Sequence, residues 1–234
     1  MLHHRLRGVS KQKSLVYVGG ANDYFYGSGA IPLSLTSLTG GVASSPAAGD
    51  VVIVAFAGRV YTDYNLGLAT SGYTELADLY SPDTRDANLG VYAKVMGSTP
   101  DTSVSATNPE ADKHYAIAAH VWRNTDVTSG IVTPIATATG TDTGRPNPPS
   151  VTPTVSGSVI IVVGAGTTYD DTYPDLTAPS GITLFQTNPT YGISVGIGAY
   201  VGWTSGAYDC AAFGDGSTSS NDSWCAASII LKPV

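Results

Sequence analysis

The sequence is short of charge. Lysine and arginine total 11, aspartate and glutamate 18, and charged residues make up 12% of the 234, half the roughly 25% of an average soluble domain. It also has only two cysteines, two methionines and four phenylalanines. Long apolar runs are missing: Val51–Ala57 and Val159–Val163 are strand-length and far below the ~20 residues that span a bilayer as a helix. Each shortage excludes a class. Too few Lys, Arg, Glu and Met residues remain for a coiled coil or long helices. A net charge of −7 argues against a general nucleic-acid binder, which needs a basic face. Two cysteines without a Cys-x-x-Cys spacing exclude a zinc module. A hydrophobic fraction of 42% with so few charges excludes a disordered chain.

What is abundant is strand and turn material. There are 27 glycines, serine plus threonine make up about 22%, and tyrosines outnumber phenylalanines 14 to 4. Val51–Ala57 is a continuous apolar run and reads as a strand buried on both faces. Leu89–Val95 alternates, with Lys94 on the polar side, and predicts a half-buried strand. Tyr115–Trp122 predicts another strand, and Ile31–Leu35 an edge strand. A short helical turn is expected around Asp83–Asn88. Ser71-Gly72, Ser81-Pro82-Asp83 and Gly97–Asp101 punctuate these runs as turns.

The chain repeats itself. Gly49-Asp50-Val51-Val52-Ile53-Val54 recurs as Gly157-Ser158-Val159-Ile160-Ile161-Val162. Ser71-Gly72-Tyr73-Thr74 recurs as Ser180-Gly181-Ile182-Thr183, Ala93-Lys94-Val95 as Ala199-Tyr200-Val201, and Tyr115–Val121 as Trp224–Ile230. Four blocks in one order, offset by 106 to 109 residues, define a duplicated unit. The halves run from about 49 to 126 and from about 157 to 232, joined through a Pro-rich connector at 141–153. Half a chain has little core of its own, and a lone sheet leaves an apolar face uncovered. The expected fold is therefore all-β: one antiparallel, jelly-roll-like β-sandwich whose halves share a core.

Catalytic signatures are weak. Val162-Val163-Gly164-Ala165-Gly166 follows a strand, but Tyr169 replaces the third glycine of a dinucleotide loop and no helix follows. No Gly-x-Ser-x-Gly elbow or His-Glu-x-x-His helix occurs. His114 and His120 read as strand residues. We expect no enzyme, no cofactor and no metal site. The densest acidic cluster is Tyr169-Asp170-Asp171-Thr172-Tyr173. It lacks the glycine-pivoted spacing of a calcium loop, and its alternating rings and carboxylates make a candidate glycan contact. Tyr61 and Tyr64 follow the matching strand of the first half and join Tyr169, Asp170, Asp171 and Tyr173 in that candidate surface. Cys210 and Cys225 flank a Gly-Asp-Gly turn. They read as buried thiols, or as a disulfide across a hairpin.

The charge is unevenly placed. Residues 1–14 hold Arg5, Arg7, Lys11 and Lys13 and no acid, which leaves 7 basic against 18 acidic residues and a body charge of −11. No apolar segment follows of the length a secretory signal needs. The expected division is a basic arm over 1–14 and a sandwich over 15–234. The arm is a candidate anchor onto an acidic partner.

The blocks Gly49–Val54, Ser71–Ala77, Asn88–Val95 and Ala116–Trp122 with Arg123-Asn124-Thr125-Asp126 resemble β-rich virion accessory proteins of tailed bacteriophages, prophages and gene transfer agents. These are head decorations, head fibres or spikes, and tail-fibre domains. The resemblance implies a structural virion protein, made in the host cytoplasm and carried in several copies. It implies docking to capsid or tail proteins, and alternatively a receptor- or glycan-binding role. It implies neither nucleic-acid binding nor membrane insertion.

Overall fold

The computed structural model describes residues 12–83, 86–107, 110, 113–128, 135–142, 145–168, 176–214 and 222–234. Its strands are β1 (Val16–Tyr26), β2 (Ala30–Ser34), β3 (Val51–Arg59), β4 (Thr74–Ser81), β5 (Ala87–Val95), β6 (Ser103–Thr107), β7 (His114–Arg123), β8 (Ile135–Gly140), β9 (Val159–Thr167), β10 (Thr183–Thr190), β11 (Ile193–Tyr200) and β12 (Trp224–Leu231). They form two five-stranded sheets, β1-β7-β3-β5-β4 and β10-β11-β9-β12-β8, and a two-stranded β2-β6 ribbon. All pairings between these strands are antiparallel.

The repeat is also a topological repeat. Replacing β1, β3, β4, β5 and β7 by β8, β9, β10, β11 and β12 converts one sheet order into the other. Local details follow the same correspondence. Gly49 and Gly157 both turn with positive φ, as do Gly72 and Gly181. Both edge pairs carry an irregularity early in the strand, between Glu75 and Ala77 and between Thr183 and Gln186. Contacts between the sheets respect the exchange as well. β1 lies against β10 as β4 lies against β8, and β7 meets β11 as β12 meets β5. The two halves therefore pack about a pseudo-twofold axis, as subunits do in an isologous dimer.

Alternation decides which side chain goes where. Val51, Ile53, Ala55 and Ala57 meet Val159, Ile161, Val163 and Ala165 in the core shared by the sheets. Val52, Val54 and Phe56 point the other way, onto Leu33, Leu35, Val104 and Ala106 of the β2-β6 layer. Ile160 and Val162 point outward onto Trp203, Phe213 and Leu176. Both central strands are thus covered on two faces, which is why they read as unbroken apolar runs. Each fully buried Val or Ile contributes about 1.5–3 kcal/mol.

The expected shared-core sandwich forms, with a connectivity of its own. The chain changes main sheet only once, between β7 and β8, so each sheet is one half. Pro146 and Val151 do not link the halves. They lie on the outer side of the second sheet, where the Phe213 N–H donates to the Pro146 carbonyl at 2.9 Å and Val151 bridges to Tyr208. Two local expectations are corrected. Ala87 and Asn88 open β5 and are not in a helical turn. β5 is buried on both faces up to Ala93, because the outer layer covers Tyr92. The edge strand expected at Ile31–Leu35 forms as β2 in the β2-β6 ribbon, and β1 adds one edge of the first sheet.

Candidate functional site

The two ends of the sandwich differ in character. At one end the basic segment joins the body. The Lys13 N–H donates to the Val234 carbonyl at 2.8 Å, and Asn124 Nδ2 donates to the Ser14 carbonyl at 2.9 Å. Asn124 itself sits at φ +63°, a conformation asparagine tolerates better than most residues. Lys13 is exposed there. Arg5, Arg7 and Lys11 lie outside the described residues.

From that end β1 runs 11 residues to Tyr26, about 35 Å at ~3.3 Å per residue. There Tyr26 pairs with His114, and His114 with Arg59. Rings and cations gather at this far end. The His114 ring is 4.6 Å from that of Tyr26 and 5.1 Å from that of Tyr191. The Arg59 guanidinium lies 6.0 Å from the Tyr191 ring centre, and Lys113 Nζ 4.3 Å from that of Tyr61, both within cation–π range. Arg59 Nη2 also donates to the Tyr61 hydroxyl at 3.4 Å.

The loop carrying Tyr61 and Tyr64 is held from below. Buried Asn88 accepts the Tyr64 N–H at 3.0 Å and donates to the Val60 and Thr62 carbonyls, both at 3.2 Å. One carboxamide thus satisfies three main-chain groups of the loop. The Tyr92 hydroxyl donates to the Leu66 carbonyl. Tyr61 and Tyr64 remain 46% and 38% exposed. In the second half, Thr168 follows β9 and donates its N–H to Gly192 at 3.3 Å, next to Tyr191. The two first-strand loops therefore leave from the same end. Tyr169, Asp170, Asp171 and Tyr173 themselves lie outside the described residues.

The seam between the edge strands β1 and β10 continues this surface. Asn22 Nδ2 donates to Gln186 Oε1 at 2.9 Å, and Asn188 Nδ2 donates to Asn22 Oδ1 at 3.0 Å. Farther along, His114 Nδ1 and Thr190 Oγ1 are 3.3 Å apart. Tyr24 and Tyr26 stand 58% and 56% exposed on the same strand. Sequence reasoning picked Tyr61 and Tyr64 but missed Tyr24, Tyr26, His114 and Tyr191. These come from separate stretches, and the only hint was the excess of tyrosine over phenylalanine.

Cys210 and Cys225 are both free and buried, which corrects the disulfide alternative. Cys225 faces the shared core and Cys210 the outer cluster of the second sheet. The second sheet stands between them. Burial pushes the Cys210 thiol up to about 11 and raises Cys225 further.

His120 is fully buried, with neither ring nitrogen bonded to the protein. It lies edge-on to Tyr17 at 4.9 Å, and burial lowers its pKa to about 3. Among the described residues, no group of three or more His, Cys, Asp or Glu is placed to hold a metal ion. Compared with protein-family models, curated proteins and solved structures, the chain matches none of them.

Proposed function

We propose that this chain is a structural accessory protein of a phage-like particle, docked through its basic segment 1–13 and presenting the opposite end of the sandwich outward. The observation that carries this reading is the polarity of the body. The basic segment joins at Lys13, beside Val234, while the ring and cation surface of Tyr26, His114, Tyr191 and Tyr61 lies a full strand length away. An anchor at one end leaves the other free. Charge complementarity would steer the docking, and several copies per particle would add avidity. In this reading the protein is not an enzyme. It is made in the host cytoplasm and carried in the virion, and its partners are capsid or tail proteins.

The test is deletion of residues 1–13. The truncated protein should fold, with an unchanged circular dichroism spectrum, and be missing from purified particles. Normal incorporation of the truncation overturns the anchoring.

A second reading, a receptor- or glycan-binding domain of a fibre or spike, is favoured by one observation. Tyr24, Tyr26, Tyr61 and Tyr191 are all substantially exposed and lie along one seam and one end. Exposed rings beside polar groups suit ligands that are apolar on one face and hydroxylated at the rim.

A further inference from the structure

We infer that the seam between β1 and β10 is a polysaccharide-binding strip, with the amides Asn22, Gln186 and Asn188 at its start and the rings of Tyr24 and Tyr26 along it. The inference rests on the glycan-binding reading and gives it a site away from the first-strand loops.

The chemistry of the strip matches a sugar chain. A carboxamide carries two N–H donors and a carbonyl acceptor, the set needed to grip neighbouring hydroxyls in a bidentate manner. Asn22 and Asn188 use one N–H each to hold the ladder together. Among the described residues, the Asn188 side-chain oxygen Oδ1 bonds to nothing in the protein, while its main-chain carbonyl accepts from Ser194 Oγ at 3.4 Å. The ladder thus orients its own members and keeps bonding capacity for a ligand. Tyr24 and Tyr26, two residues apart on an edge strand, project on the same side as Asn22. Their faces are flat apolar platforms for the C–H side of a pyranose ring, and their hydroxyls reach water.

The shape points to a polymer. Next to the amides, a groove of about 240 Å³ runs along β1 between Leu33, Ser34 and Ser37 on one side and Gln186 on the other. That is smaller than the ~300–1,000 Å³ of pockets that enclose a whole small molecule. It suits one unit of a chain whose neighbours continue along the open strand. From Asn22 to Tyr26 the strip is about 13 Å long at ~3.3 Å per residue, and it runs on to His114 and Tyr191. The opposite seam, β4 against β8, is different. There Leu79 and Ile135 pack against the shared core, so the strip is a property of one edge and not of the repeat.

The test begins with the full chain on a broad glycan microarray, followed by affinity electrophoresis in the polysaccharide that binds. Asn188→Ala and Tyr24→Ala should each weaken binding about tenfold, with the near-UV circular dichroism unchanged. Tyr24 protrudes from an edge, so its variant keeps the test valid even if Asn188→Ala loosens the seam. Val201→Ser, exposed at the opposite end, should bind like the parent. A polysaccharide bound equally well by both seam variants overturns the strip and leaves the glycan reading standing. No binding anywhere on the array overturns both.

Discussion

Acid should destabilise this protein through one histidine. His120 lies in the middle of β7, fully buried, with neither ring nitrogen bonded to the protein and with the Tyr17 ring against it. Burial holds its pKa near 3, against 6.5 for a free histidine. The unfolded chain therefore takes up a proton that the folded chain refuses. Stability from this group is complete above pH 6.5 and is lost as pH falls from 6.5 towards 3. At ~1.4 kcal/mol per pH unit, the loss reaches about 3 kcal/mol at pH 4. That is a large part of the ~5–15 kcal/mol that stabilises a typical domain. The perturbation is His120→Leu, which keeps a similar volume and removes the titration. Urea unfolding followed by tryptophan fluorescence at pH 7, 5 and 4 measures the difference, with buried Trp122 two residues away as reporter. The parent should lose about 3 kcal/mol more than the variant between pH 7 and pH 4. Parallel pH profiles for the two proteins would refute the reasoning, as would an NMR titration of His120 with a midpoint near 6.5 in the folded state.

Three further outcomes are expected. Arg123 grips Asp50 through two bonds of 2.8 and 2.9 Å, and the Asp50 side chain is only 1% exposed. Arg123→Gln should therefore cost about 2 kcal/mol in denaturant unfolding by leaving a buried carboxylate, whereas Asp50→Ser should cost less, because Ser158 fills the matching turn of the second half and caps Val155 at 2.6 Å. Gly192 has φ +77°, and a Cβ there would collide with the Arg59 guanidinium. Gly192→Ala should lower the thermal midpoint by several degrees, on the order of 2 kcal/mol, and an unchanged melt would refute this placement of Arg59. Both thiols are buried with raised pKa values. A thiol reagent at pH 8 should label neither in the native protein and both in urea, and a reducing agent should leave the melting temperature unchanged.

Much of the fold was legible because its signals are local. Val51–Ala57 reads as a strand covered twice, and β3 is one. The paired glycines 49 and 157 recur because both turns need positive φ. Leu89–Val95 misled because alternation reports polarity and not coverage. Tyr92 is buried by a layer built from residues far away in sequence, and its hydroxyl is satisfied there by the Leu66 carbonyl. The cysteines misled for a related reason. A Gly-Asp-Gly turn suggests a hairpin, yet the stretch holding Cys210 crosses the outer face of the sheet while Cys225 lies beneath it.

The candidate surface divides in the same way. Tyr61 and Tyr64 could be picked from sequence, since a loop after a repeated strand is visible in one dimension. Asn22, Tyr24, Tyr26, His114, Gln186 and Tyr191 could not, because β1 and β10 belong to different halves and meet only when the sheets stack. The sequence by itself determined a duplicated all-β chain that begins with a basic, acid-free segment, because side-chain period, turn residues and charge are properties of neighbours along the chain. Only the tertiary structure decided which edges meet and which end stays open, because those depend on how two apolar sheet faces settle on each other about the pseudo-twofold axis.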